Sequence, residues 1–208
     1  SICCIKSEMP TTPANASPSI TTSGSCWNTG GRESAIRAAV RADIVAATGR
    51  HFGRIDGLLN NAGAMLGRIK VIDADADHDR AVVDLNAHSV VWTTRAAIPW
   101  LRKQGGVVIN TTSIAARNGG GGGALLYGAA KGFVSTITRG LARELAPDRI
   151  RVNAVSPGVI TTPFHERYST RAQIDAMVAT IPMGRTGTPE ECVGTYLYLA
   201  SEMLSGYV

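Results

Sequence analysis

An apolar stripe runs through the second half of the chain: Tyr127, Ala130, Val134, Ile137, Leu141 and Leu145 recur at steps of three and four until Pro147 ends the series. This spacing predicts a long amphipathic helix with one buried face. Tyr127 and Lys131, four residues apart in the run Tyr127-Gly128-Ala129-Ala130-Lys131, leave such a helix on the same side. Their Cβ atoms are then about 5–6 Å apart. An ammonium that close favours the phenolate, so the Tyr127 pKa is expected to fall from about 10 toward neutrality. Tyr127 is thereby a candidate general acid or base.

Other segments line up around this helix. Ile36, Val40, Ile44, Ala47 and Phe52 mark an earlier amphipathic helix ending near Gly53. Ile55 to Leu59 reads as a strand that delivers Asn60-Asn61-Ala62-Gly63 at its C-terminal end, where open parallel sheets bind ligands. A polar, Asp-rich connection over residues 68–78 reads as a helix entry. It lacks the glycine and distal glutamate of a calcium loop. The next helix is expected from about Asp79 to Leu101, with Asn86 inside it, where an asparagine is a mild liability that needs a reason.

Gly106 to Asn110 reads as a short buried strand leading to Ser113, fourteen positions before Tyr127. Five consecutive glycines, Gly119 to Gly123, lie between the two and predict a flexible mouth. Arg149 to Val155 reads as a further strand, and Ser156-Pro157-Gly158-Val159-Ile160-Thr161-Thr162-Pro163 as the loop beyond it. Thr188-Pro189-Glu190-Glu191 combines a capping box with proline at the first helical position and opens a last helix.

The ordered set Asn60-Asn61-Ala62-Gly63, Asn86, Ser113, Tyr127-x-x-x-Lys131 and Arg151 to Gly158 resembles the short-chain dehydrogenase/reductase family over roughly residues 32–208. The resemblance implies an α/β, Rossmann-like three-layer sandwich around a parallel sheet. The chain supplies strands matching the family's fourth, fifth and sixth, so the fold is expected to be incomplete at both ends, with open sheet edges. It further implies NAD(P)-dependent alcohol dehydrogenase or carbonyl reductase chemistry, of the kind performed by 3-oxoacyl-carrier-protein reductases or sugar-alcohol dehydrogenases, which the sequence does not separate.

By resemblance, Tyr127 passes the proton, Lys131 lowers its pKa and holds the cofactor ribose, Ser113 fixes the substrate oxygen, and Asn86 holds a relay water. Asn60, Ala62 and Gly63 steady the central sheet and line the adenosine side of the dinucleotide. Pro157, Gly158, Ile160 and Thr162 belong to the loop over the nicotinamide, Ile160 and Thr162 bonding its carboxamide. Residues 164–182 form a substrate-selecting lid, with His165 and Met183 as candidate lining residues. The family also implies a homo-oligomer, dimer or tetramer, and a small alcohol or ketone substrate.

The resemblance stops at residues 1–31. That segment is rich in Ser, Thr, Pro, Asn and Gly and reads as loop or disorder, a unit apart from the domain of residues 32–208. The family's glycine turn, which seats the cofactor pyrophosphate at a helix N-terminus, has one counterpart, Thr29 to Ile36. Ser34 and Ile36 stand there in place of the second and third glycines, so it is rejected as a dinucleotide fingerprint. NAD and NADP are therefore not distinguished, and a catalytically incompetent relative that keeps the catalytic residues is the alternative expectation.

The composition narrows the remaining classes. A chain of 208 residues with 44% hydrophobic and 18% charged residues fits one globular domain. No stretch of about 18 apolar residues predicts a membrane span, and no basic-then-apolar leader predicts secretion. The net charge of +5 is spread along the chain without basic runs or interleaved aromatics, against nucleic-acid binding. Cys3, Cys4, Cys26 and Cys192 show neither metal-ligand nor disulfide-framework spacing, so no metal is expected and a reducing, cytoplasmic setting is. Cys192 reads as a small buried hydrophobe. No G-x-S-x-G motif supports a serine hydrolase.

Overall fold

The computed structural model describes residues 2–5 and 32–208. Most of the expectation for residues 1–31 lies outside that range. Within it, Ile2–Ile5 (β1) forms a strand where the sequence suggested irregular chain. β1 pairs antiparallel with Gly57–Asn60 (β2), which pairs in parallel with Gly106–Thr111 (β3), and that in parallel with Ile150–Val155 (β4). One edge expected to be open is thus covered: four backbone positions of β1 run from Ile2 opposite Asn60 to Ile5 opposite Gly57.

Helices Arg32–Phe52 (α1), Ala76–Val83 (α2), Ser89–Leu101 (α3), Ala115–Asn118 (α4) and Leu125–Leu145 (α5) alternate with the strands, followed by Pro163–Tyr168 (α6), Arg171–Val178 (α7), Pro189–Ala200 (α8) and Glu202–Ser205 (α9). The period-2 alternation of β3 divides the core. Val108 points to one face, where Val45 of α1, Ala97 and Leu101 of α3 and Leu145 of α5 join Ile55, Leu58, Ile150 and Val152. Val107 and Ile109 point to the other, against Leu199 and Tyr196 of α8. The result is the Rossmann-like three-layer arrangement.

The predicted stripe of α5 is the buried one: Ala130, Val134 and Leu145 are in the core. The predicted stripe of α1 is out of phase. Val45 and Gly49 are buried, whereas Val40 is 50% exposed and Ala47 is exposed. The cause is Trp100 on α3, whose indole lies over Gly49 so closely that a Cβ there would sit 2.3 Å from the ring. A missing side chain, which hydrophobic periodicity cannot register, sets the contact.

The helix expected from Asp79 to Leu101 begins earlier, because the Asp75 carboxylate caps it by accepting from the His78 amide (2.7 Å). It also contains a π turn, Asp84–His88. Thr188 and Glu191 form the expected capping box of α8. Cys192 is half-buried rather than buried, and the Arg151 guanidinium ties α8 and α9 to β4 through the Leu199 and Ser205 carbonyls (3.0 and 3.1 Å).

Candidate active site

The C-terminal ends of β2 and β3 carry a polar ladder. Asn60 and Asn110 are register partners, and Asn60 Nδ2 donates to Asn110 Oδ1 (2.9 Å) and to Thr94 Oγ1 (3.1 Å). Asn110 Nδ2 donates in turn to Thr138 Oγ1 of α5 (2.9 Å). Each of these side chains is buried, so the bonds replace water that the sheet excludes. Asn60 therefore steadies the sheet from within, its amide hydrogens turned to α3 and β3. Asn110 and Thr138, which no sequence motif singled out, complete the ladder.

One residue beyond the ladder, Lys131 enters from α5. It is 3% exposed, and its Nζ donates to the Thr111 carbonyl at the end of β3 (2.8 Å). Among the described residues no carboxylate pairs with it. Burial without a counter-charge pulls the ammonium from its ordinary 10.5 to about 8. The Nζ lies 5.8 Å from the centre of the Tyr127 ring.

For Tyr127 the expected direction is reversed. Burial of the phenol raises its pKa above 10.0, and the hydrogen bond from Ser113 only partly offsets this. A desolvated phenolate is costly, and at this range the lysine does not compensate for it. Tyr127 is therefore a protonated phenol at neutral pH, joined to the Ser113 hydroxyl. Ser113 in turn accepts from the Ala115 amide at the start of α4 (3.1 Å).

Asn86 lies in the π turn, fully buried. Its Nδ2 donates to the Ala64 and Val82 carbonyls (2.8 and 2.9 Å), and its Oδ1 accepts from the Ala64 amide (3.1 Å). Here is the reason for a mid-helix asparagine: it clamps the loop that follows β2. Gly63 passes so close that a Cβ would stand 2.8 Å from Asn86 Oδ1 and 3.1 Å from Lys131 Nζ. Gly63, Asn86 and Lys131 thus form one contact, with Ala62 half-buried beside it.

The loop after β4 closes over the same end. The Pro157 carbonyl accepts from the Ile114 amide next to Ser113 (3.0 Å), and Ile160 bridges to Gly187. Thr162 stands at the N-terminal boundary of α6 without a side-chain capping bond, and two residues on, Phe164 packs at a tilt against Tyr127 with ring centres 5.5 Å apart. Gly158 is exposed with open space where a Cβ would stand. His165 is half-buried and bonded to Ser169 (3.1 Å), its pKa lowered by burial and by the nearby Arg68, while Met183 is 73% exposed. The five glycines are held in place: Gly122 and Gly123 accept from Arg68 Nη1 (2.9 Å) and the Ile69 amide (3.1 Å). Thr111, Phe164 and Arg68 escaped sequence reading because each acts through a backbone atom, a ring face or a long-range contact.

A parallel α/β sheet with a buried lysine, a tyrosine one turn before it and a serine at the next strand end defines a class of Rossmann-type oxidoreductase folds. Residues 36–208 match the family model of enoyl-(acyl carrier protein) reductase, and the chain belongs to the short-chain dehydrogenase/reductase family. A 3α-hydroxysteroid dehydrogenase of Mediterraneibacter gnavus is 39% identical over 154 residues, 74% of this chain and 61% of that protein. A 3-oxoacyl-[acyl-carrier-protein] reductase of Thermotoga maritima is 39% identical over 170 residues, 80% of this chain and 66% of its own length. The chain thus spans less than two thirds of these two relatives.

Among solved structures, an NADH-dependent reductase responsible for alginate metabolism superimposes with a TM-score of 0.74 at 38% identity, covering 82% of this chain and 67% of that one. The same reductase complexed with NAD gives 0.71 at 37% identity, covering 82% and 66%. An NAD+-bound xylitol dehydrogenase gives 0.75 at 28%, covering 82% and 72%. No described helix is long and apolar enough to cross a membrane, and the described residues hold no group of three metal-ligating side chains.

Proposed function

We propose that this chain carries the proton-transfer and nicotinamide-side apparatus of an NAD(P)-dependent oxidoreductase that interconverts an alcohol and a ketone. The observation that supports it best is the Lys131 ammonium, buried one helical turn from Tyr127, 5.8 Å from its ring centre and without a carboxylate partner among the described residues. The donor set fits a nicotinamide nucleoside. Lys131 uses one of its three N–H groups on Thr111, leaving two for vicinal ribose hydroxyls. Gly63, lacking a Cβ, keeps that approach open.

The chemistry that a reduced nicotinamide would supply, when held there by Lys131, is the hydride for the substrate carbonyl carbon. Tyr127 gives its hydroxyl proton to the carbonyl oxygen, which Ser113 holds in place. Lys131 keeps positive charge beside the phenolate that results. Asn86 has both amide hydrogens on backbone carbonyls, so a relay water rests on one of its acceptor atoms. Pro157, Gly158, Ile160 and Thr162 close the nicotinamide side, with Ile160 and Thr162 offered to its carboxamide, and Ala62 and Gly63 border the adenosine side. Asn60 contributes by holding the sheet end rather than by touching the dinucleotide.

The test is Tyr127→Phe, assayed by NADH and NADPH oxidation with a panel of small ketones. Removing the transferable proton should lower turnover by about 10²–10⁴-fold, with little change in thermal stability. Retained turnover would sink the assignment. A second reading, a relative that keeps these groups but takes no dinucleotide, rests on Ser34 and Ile36 standing where the family has glycines.

A further inference from the structure

Beside the catalytic cluster lies a cavity of about 620 Å³, lined among others by Leu66, Arg68, Arg167, Tyr168, Ser169 and Gln173. It opens between the loop after β2 and the lid helices α6 and α7. A chain of rings connects it to the reacting end: Phe164 packs at a tilt against Tyr127 and edge-on against Tyr168, with ring centres 5.5 and 5.1 Å apart.

Arg68 is the polar centre of this wall. Its Nε donates to the Tyr168 carbonyl (2.5 Å), Nη1 to the Gly122 carbonyl (2.9 Å), and Nη2 reaches Ser169 Oγ (3.4 Å). All three acceptors are neutral. Among the described residues no carboxylate pairs with Arg68, and partial burial lowers its pKa with no compensating charge. Arg167 lies across the opening, its guanidinium 5.7 Å over the Tyr168 ring, also without an acidic partner among the described residues. Arg171, by contrast, is already paired with Asp175 (2.9 Å). His165, held neutral by burial and by Arg68, adds no further charge.

A half-buried guanidinium fixed by three neutral acceptors is a rigid cation whose charge is uncompensated, and a planar fork suited to carboxylate or phosphate. We infer that this cavity receives an anionic group, carboxylate or phosphoryl, carried by the substrate at the end remote from its carbonyl, with Arg68 and Arg167 as the binding cations. The inference rests on the oxidoreductase reading given above. It makes the lid a selector of charge as well as shape: the same Arg68 that receives the anion also ties α6 to the glycine loop.

The experiment is binding, read without turnover. The full chain, labelled with ¹⁵N, is titrated with malonate, inorganic phosphate and neutral dimethyl malonate while amide shifts are followed. Saturable shifts confined to residues 66–69 and 167–173 with either anion, and none with the diester, are expected. Preference for malonate assigns a carboxylate substrate, and preference for phosphate a phosphoryl one. Arg167→Gln, which removes a guanidinium that is stacked over Tyr168 rather than hydrogen-bonded, should weaken binding about threefold, and Arg68→Met should abolish it. Arg68→Lys, which keeps charge without the fork, should fall between. Scattered shifts, or identical titrations in Arg167→Gln and the wild type, would overturn the inference. Tyr127→Phe is expected to bind the anions as the wild type does. A wild type that oxidises neither NADH nor NADPH with any ketone would remove the oxidoreductase reading, whereas absent anion binding by a wild type whose turnover is lost in Tyr127→Phe would remove the anion site alone.

Discussion

At the scale of single residues, the site is a balance of burial against charge, with Lys131 at its centre. The folded chain holds this ammonium at about 8, below its ordinary 10.5. Between those values the folded state binds fewer protons than the unfolded one, so this group's contribution to stability rises with pH, and below about 8 the buried charge is a full liability. Lys131→Met should therefore stabilise the chain at pH 7 by about 1–3 kcal/mol while abolishing turnover. Thermal unfolding at pH 7 and pH 10 checks the sign: the gain should shrink as pH rises. In the wild type, carbonyl reduction should decline as pH climbs through about 8, because the ammonium that supports the nascent phenolate is lost first. A rate that stays flat to pH 10 would count against that role. Tyr127, raised by burial, keeps its proton over the same range, which suits it to the reductive direction.

Elements, not single residues, set where these groups meet, and the π turn Asp84–His88 is the clearest case. It brings Asn86 round to hold both backbone groups of Ala64, and thereby fixes Gly63 against Lys131. Such turns within α-helices often mark functional positions. Asn86→Leu keeps the branched shape but leaves the Ala64 amide and carbonyl without that partner, so a loss of about 2–4 kcal/mol is expected. Urea unfolding should show a lower midpoint with an unchanged slope. A midpoint within error of the wild type would show that the clamp does not hold the loop. A helix carrying Asn86 was legible from the Asp-rich entry before it, although it begins earlier than Asp79. The π turn was not, since a one-residue widening leaves no mark on a polar-apolar pattern. The phase of α1 failed for a related reason: Gly49 accepts Trp100 by having nothing to display. The spacing of Tyr127 and Lys131 put them one turn apart on one helix, as α5 has them, yet the direction of the Tyr127 pKa was missed, because burial is a tertiary quantity.

Over the whole molecule, the residues proposed above for the nicotinamide side gather at one end of the sheet. β2, β3 and β4 run parallel and put Gly63, Lys131 and the loop from Pro157 to Thr162 at one end of the sheet, while β1 lies antiparallel along the edge of β2. Of the rejected candidate for the glycine turn, residues 29–31 lie outside the described range, and Arg32–Ile36 form the first residues of α1. If the recognition energy resides in Lys131, Gly63 and the loop after β4, a ligand reduced to nicotinamide, ribose and one phosphate should bind nearly as well as the full dinucleotide. Charge-assisted bonds at a pyrophosphate site contribute roughly 1.5–3 kcal/mol each, and their loss would bring the two ligands within about tenfold of each other. Titration of the chain with NADH, NADPH and reduced nicotinamide mononucleotide, followed by cofactor fluorescence, measures this directly. Lys131→Met should remove binding of all three. A dinucleotide preference of a hundredfold or more would place an adenosine-pyrophosphate site on this chain after all, and a difference between NADH and NADPH would then identify the cofactor.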